Sequence, residues 1–213
     1  MKIESVAVIG AGVMGSGIAA QIANAGKKVL LLDIVPDGAE NRNIISQSAI
    51  KKTLNVKPAA LMHKRNAKNI TAGNLEDNLN DLGDVDWIVE VIIEQLDLKQ
   101  ELYKKIDTVR KQNCIVSSNT STLPLADLIA GLPKRFANNF LITHFFNPPR
   151  YMRLLEIVVG PDTRQESVDT LTHFCDHELG KGVVKCNDTP GFIANRIGAY
   201  WMQTALLEAM RLG

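Results

Sequence analysis

An excess of either charge is the first thing missing from this chain. Lysine and arginine number 24 against 23 aspartates and glutamates, a formal net charge of +1. So balanced a chain has no general attraction to nucleic acid or to an anionic membrane. Long apolar runs are missing too: none approaches the roughly 20 residues needed to span a bilayer. The chain opens directly on a strand-like Ser5-Val6-Ala7-Val8-Ile9, which reads as the start of a folded domain and not as a secretory leader. Cysteine is scarce: Cys114, Cys175 and Cys186 are an odd number at unrelated spacings. That excludes a disulfide framework, offers no metal-ligand pair and fits a reducing cytoplasm, with all three expected as small buried hydrophobes. Internal repeats and low-complexity tracts are also absent.

What is present is an alternation of strand and helix signals. Ser5 to Ile9 is followed by a helix-like stretch from about Val13 to Ala25, closed by Gly26. The continuous apolar run Val29-Leu30-Leu31-Leu32 suits a strand buried on both faces, as in parallel sheets. A longer helical region is expected from about Asp37 to Arg65, interrupted near Pro58, then a short segment around Ile70 and a loop with turn residues at Gly73, Asn74 and Gly83. Trp87 to Val91, Cys114 to Ser117, Phe140 to Thr143, Leu154 to Val159 and Gly182 to Cys186 read as strands. Gln95 to Lys111 and Gln165 to Leu179 read as helices. Such alternation predicts an α/β fold, a Rossmann-like doubly wound and mainly parallel sheet. From Thr189 onward the pattern changes to a helix apolar over a wide face, including Phe192, Ile197, Met202, Leu206, Leu207 and Met210. Such a helix needs a cover. The expected organisation is therefore a nucleotide domain over 1–188 and, over 189–213, the first helix of a truncated helical domain.

The phosphate-binding signal is Gly10-Ala11-Gly12-Val13-Met14-Gly15, between the first strand and the first helix. Gly10 permits the tight turn, Gly12 lets the backbone approach a pyrophosphate, and Gly15 allows close helix–strand packing. The first turn of the helix, at Val13 and Met14, offers unpaired N–H groups and the positive dipole end. An acid, Asp33, ends the second strand 18 residues beyond Gly15, where ribose hydroxyls are expected. No arginine follows it immediately, which favours NAD over NADP.

In an open parallel sheet the reactive groups lie at the carboxyl ends of the strands. Ser121 follows one such end and His144 closes another; Glu156 falls in the next strand, and Asn195 lies just beyond Thr189-Pro190-Gly191-Phe192. A histidine with a carboxylate partner is the arrangement for moving a proton near neutral pH.

These pieces, with Val89-Glu90-Val91-Ile92-Ile93-Glu94, Ser118-Asn119-Thr120-Ser121 and His144-Phe145-Phe146-Asn147-Pro148, resemble the L-3-hydroxyacyl-CoA dehydrogenases of fatty-acid β-oxidation, in the same order over nearly the whole chain. The Pro149-Arg150-Tyr151-Met152 stretch is most similar to long bacterial members that carry further domains. The resemblance implies His144 as general base oriented by Glu156. It also implies Ser121 and Asn195 on the substrate oxygen, and Glu94, Lys99, Ser121 and Asn147 lining the NAD site. It implies a 3-hydroxyacyl-CoA substrate, and a homo-oligomer or multidomain parent, with no nucleic acid, membrane or metal. Basic residues Arg42, Lys51, Lys52, Lys57, Lys64, Arg65 and Lys68, against Asp37 and Glu40, make a helical pair here a candidate for CoA phosphates. A dehydrogenase of a free 3-hydroxy acid or sugar acid, and a non-catalytic NAD-binding protein, are the alternatives.

Overall fold

A computed structural model describes residues 1–213, organised on one eight-stranded sheet. The strands are β1 (Ser5–Ile9), β2 (Lys28–Asp33), β3 (Ile70–Asn74), β4 (Trp87–Glu90), β5 (Ile115–Ser118), β6 (Phe140–Phe145), β7 (Leu154–Val159) and β8 (Gly182–Cys186). The helices are α1 (Val13–Asn24), α2 (Ile44–Thr53), α3 (Leu96–Val109), the single turns α4 (Leu125–Leu128) and α5 (Lys134–Ala137), then α6 (Gln165–His173) and α7 (Ala194–Leu212).

Across the sheet the order is β3-β2-β1-β4-β5-β6-β7-β8. The first six strands of that order are parallel; β7 runs antiparallel to β6, and β8 parallel to β7. This is the Rossmann-like, mainly parallel α/β fold. The order reverses at β1, and that switch point opens a crevice at the carboxyl ends of the strands.

Alternation along each strand divides the core. Val6, Val8, Leu31 and Val89 pack with Ile18, Ala19 and Ile22 of α1 on one face, and Ala7, Ile9, Ile88 and Val116 with Leu102, Tyr103 and Ile106 of α3 on the other. Each valine, leucine or isoleucine among them contributes about 1.5–3 kcal/mol on burial. The three cysteines are free and buried. No helix is long and apolar enough to cross a membrane.

Three expectations about local structure change. The helical region from Asp37 to Arg65 is helical only in α2, with a 3₁₀ turn at Lys64–Asn69. Pro58 carries no N–H and disfavours helix at Lys57. Beyond it the chain is held by Asn24, whose Oδ1 accepts from the Met62 amide and the Asn66 side chain while its Nδ2 donates to the Ala60 carbonyl. The basic helical pair therefore does not form. Gly73 and Asn74, expected in a loop, complete β3. Phe192 is not on the apolar face of the last helix: it is buried before α7 begins, at φ 49°.

Candidate active site

The glycine loop has the form its spacing requires. Gly10 has φ +105°, and a Cβ there would stand 2.5 Å from the Val91 carbonyl oxygen; one on Gly15 would stand 1.7 Å from that of Gly10. A Cβ on Gly12 would meet nothing within 4 Å, so this is the face left open for a ligand. Gly12 caps α1 without a side-chain hydrogen bond, and no acid lies in the first turn. Free amides at a helix N-terminus, with no acid in the helix's own first turn, fit a pyrophosphate. Asp33 Oδ2 accepts from the Ala11 amide at 2.5 Å and Oδ1 from Ile34 at 2.7 Å, so the acid ends β2 tied to the loop itself. The donor set fits NAD.

At the same sheet edge His144 and Glu156 face each other as partners in the β6–β7 ladder. The 12-residue separation is a hairpin connection, so antiparallel pairing brings the two side chains to one spot. His144 Nδ1 lies 2.8 Å from Glu156 Oε2. Glu156 is fully buried, and its second oxygen accepts from the amides of Ile193 (3.1 Å) and Ala194 (2.8 Å). One carboxylate thus orients the imidazole and caps α7. The rings of Phe146 and Phe192, at 4.4 and 5.6 Å, wall the histidine. With Nδ1–H donated to the carboxylate, Nε2 keeps its lone pair: the group is arranged to accept a proton. Beside them, burial and the Glu156 charge push the Cys186 thiol up to about 11, so it stays neutral.

The turn after β5 is shaped by Glu94, whose Oε1 accepts from the Thr120 hydroxyl, the Ser121 amide (3.2 Å) and the Thr122 hydroxyl (3.0 Å). Burial works to raise the Glu94 carboxyl, but those bonds and the Lys99 charge outweigh it and hold the carboxyl below its usual range. Ser121 Oγ and the Asn195 side chain are both left without partners. Asn195 stands one residue beyond the amides that Glu156 grips. Asn147 is exposed three residues beyond His144.

Lys99 occupies a different place from the other candidates. It is 1 % exposed, with Nζ 2.6 Å from Glu90 and 3.3 Å from Glu94. Glu90, which sequence reasoning passed over, is the centre of this group: it also accepts from the Ile92 amide, the Tyr103 hydroxyl and the Ser118 hydroxyl. The missed signal was an acid inside the otherwise apolar run Trp87-Ile88-Val89-Glu90-Val91. Asn119 Oδ1 then accepts from the Phe145 amide at 2.9 Å, joining this turn to the strand that carries His144.

A cleft of about 700 Å³ runs from Gly12 and Val13 along Ser16 and Gly17 to α2, lined by Lys52 of that helix and Lys57 beyond it, and opposite by Asn147 to Arg150. Of the other basic residues in this region, Arg42 is engaged by Glu76 (2.7 Å) and Asp77 (2.8 Å).

A dinucleotide loop at the switch point, with a histidine–carboxylate pair at the same edge, defines the nucleotide domain of a dehydrogenase. Residues 5–189 match the family described as 3-hydroxyacyl-CoA dehydrogenase, NAD binding domain. The chain belongs to that family. It is 48% identical over its whole length to the "Probable 3-hydroxyacyl-CoA dehydrogenase" of Deinococcus radiodurans, covering 62% of that protein. It is 45% identical over 99% of its length to one of the same description from Bacillus subtilis, covering 28% of it. The crystal structure of 3-hydroxybutyryl-CoA dehydrogenase from Escherichia coli superposes with a TM-score of 0.79 at 31% identity, over 92% of this chain and 41% of that one. The chain thus spans less than two thirds of these longer relatives.

Proposed function

We propose that this chain supplies the NAD site and the proton-transfer pair of an enzyme that oxidises (S)-3-hydroxyacyl-CoA to 3-oxoacyl-CoA. The observation that carries the reading is the 2.8 Å contact between His144 Nδ1 and a fully buried Glu156, at the sheet edge where the glycine loop also ends. NAD, when bound, supplies the acceptor for the hydride on C3. His144 Nε2 takes the proton of the 3-hydroxyl, and the Glu156 charge stabilises the imidazolium that results. In the opposite direction the imidazolium returns that proton to the ketone oxygen. Positioned acid–base catalysis of this kind contributes about 10²–10⁴-fold. Ser121 and Asn195, partnerless at the edge, are assigned to the substrate oxygen and the nicotinamide. Glu94 and Asn147 are assigned to the NAD wall, and Lys99 supports it from beneath through Glu94.

The CoA class is supported by the cleft beside the glycine loop, whose two free lysines, Lys52 and Lys57, suit phosphates. Residues 189–213 are assigned to the start of a helical domain: α7 has no buried residue, and Ile197, Tyr200, Trp201, Met202, Leu206, Leu207 and Met210 all lie open. A covering domain or a second copy suits such a face, in a cytoplasmic enzyme whose three thiols remain free. The test is NADH formation from (S)-3-hydroxyacyl-CoAs of several chain lengths, alongside 3-hydroxybutyrate and gulonate. Turnover of the free acids but not the thioesters would overturn the CoA reading.

A further inference from the structure

Lys181, between α6 and β8, is a buried lysine with no carboxylate partner. Its side chain is 2 % exposed, yet it forms no ion pair. Instead Nζ donates to the carbonyl oxygens of Pro149 and Met152 (the latter at 2.8 Å) and lies 5.8 Å from the centre of the Phe145 ring. Burying an ammonium group is costly unless its hydrogen bonds are made, and here two backbone carbonyls of one loop make them.

What it holds is the connection between β6 and β7. That loop begins directly after His144-Phe145, and Asn147, Pro148, Pro149 and Arg150 form one wall of the cleft. Pro149 rests on α1, where a Cβ on Gly17 would come within 2.9 Å of the proline ring. Across the cleft Arg150 donates to the Ala59 (2.7 Å) and Leu61 (3.1 Å) carbonyls, and the Tyr151 hydroxyl donates to Ala59 (3.1 Å). The anchor therefore reaches both walls: Lys181 to the 149–152 loop, and that loop to the segment around Lys57 and Pro58.

We propose that Lys181 is a positioning residue that sets the 147–152 loop and, through Arg150 and Tyr151, the width of the acyl-CoA cleft. The acyl-CoA part rests on the function proposed above; the anchoring of the loop does not. Burial pulls the Lys181 ammonium down to about 8, opposed only by the Cys175 thiol, itself raised by burial and neutral. The remaining groups that face Nζ are the two carbonyls and the Phe145 ring. Its charge is therefore lost within an accessible pH range.

The test compares wild type, Lys181→Met and Lys181→Arg in the full chain. Hydrogen exchange without ligands should speed up at amides 150–153 and 59–62 in the methionine variant, while β1 and β4 stay unchanged. KM for 3-hydroxyacyl-CoA should rise about tenfold, the effect of leaving a buried acceptor unpaired, with kcat little changed. The arginine variant should restore both, and its KM should stay flat where the wild-type KM climbs as pH passes about 8. If the methionine variant fails to fold, Lys181→Gln, whose shorter uncharged amide keeps a donor, should still speed exchange at the same amides, though by less. Unchanged loop exchange, or a fall in kcat at constant KM, overturns the proposal. If wild type neither binds nor turns over acyl-CoA, the CoA reading fails while the exchange result still decides the anchoring.

Discussion

Two buried acids of this chain, Glu90 and Glu156, are both fully inaccessible and both paired with a basic side chain, yet they serve opposite ends. Glu90 is saturated: Lys99, Tyr103, Ser118 and the Ile92 amide consume its oxygens, and every partner is buried or locally bonded. Its surroundings also push the Tyr103 phenol well above its usual range, through burial first and the Glu90 charge second, so that hydroxyl only donates. Glu156 is equally satisfied, but its basic partner is a histidine with a second nitrogen left over. The difference teaches that a buried charge becomes chemistry only where its partner keeps a valence open. Where both partners are spent, the pair is architecture.

Breaking the pairs separates the two roles. Replacing His144 by Asn should lower kcat by about 10²–10⁴-fold if it is the proposed proton carrier, while stability falls by about 1–3 kcal/mol for the hydrogen bond lost to buried Glu156. Glu90→Leu should do the reverse. It strands the buried Lys99 with Glu94 alone, and unfolding should become easier by about 3–5 kcal/mol, read from urea titration. A Glu90→Leu/Lys99→Met double variant should recover much of that loss, since replacing both members of a buried pair is far milder than removing one. Glu156→Gln sits between the two. One face of the new amide must donate, either toward His144 Nδ1 or toward the amides of Ile193 and Ala194, which are donors already. Turnover should fall steeply, stability should drop by about 1–3 kcal/mol, and NAD affinity should hold. Unchanged turnover would dissolve the pairing.

The smallest effect expected is one of pH. Lys181 has a folded value of about 8 against 10.5 for the free side chain. Between those values the unfolded chain holds the proton that the folded chain has released, so stability should rise with pH there. The rise should be present in wild type and missing in Lys181→Met, as the difference between their urea midpoints from pH 8 to pH 10. Equal slopes would show that the buried ammonium is not the group responsible.

The two acids also differed in how far they could be read ahead of the fold. Glu156 was legible because it lies 12 residues from His144, across one hairpin, and short separations leave few geometries. The glycine loop was legible for the same reason: its chemistry is local to six residues and the strand before them. Glu90 was not: Ser118 reaches it only through the parallel pairing of β4 with β5, and Lys99 and Tyr103, though near in sequence, reach it only because α3 packs that face onto the sheet. Lys181 reads in sequence as one more surface lysine; nothing local announces burial. The stretch after Thr53 was read as helix because its residues permit one. Pro58 and the hydrogen bonds of Asn24 decided otherwise, and those bonds come from the end of a helix 36 and 38 residues earlier. The apolar character of α7 was legible, while the place of Phe192 was set by the left-handed turn at Gly191 and Phe192.

The shared carboxylate of Glu156 also makes the first turn of α7 part of a mechanical train. A helix of 19 residues is about 28 Å long at 1.5 Å per residue. Its base is pinned by two hydrogen bonds to the oxygen opposite the one that steers the histidine, and its far turns stand clear of the sheet. Whatever presses on those turns works through a long arm on a short pivot. The imidazole is then the pointer at the pivot, so the seat of the far helix and the direction in which the His144 ring faces are fixed by one carboxylate.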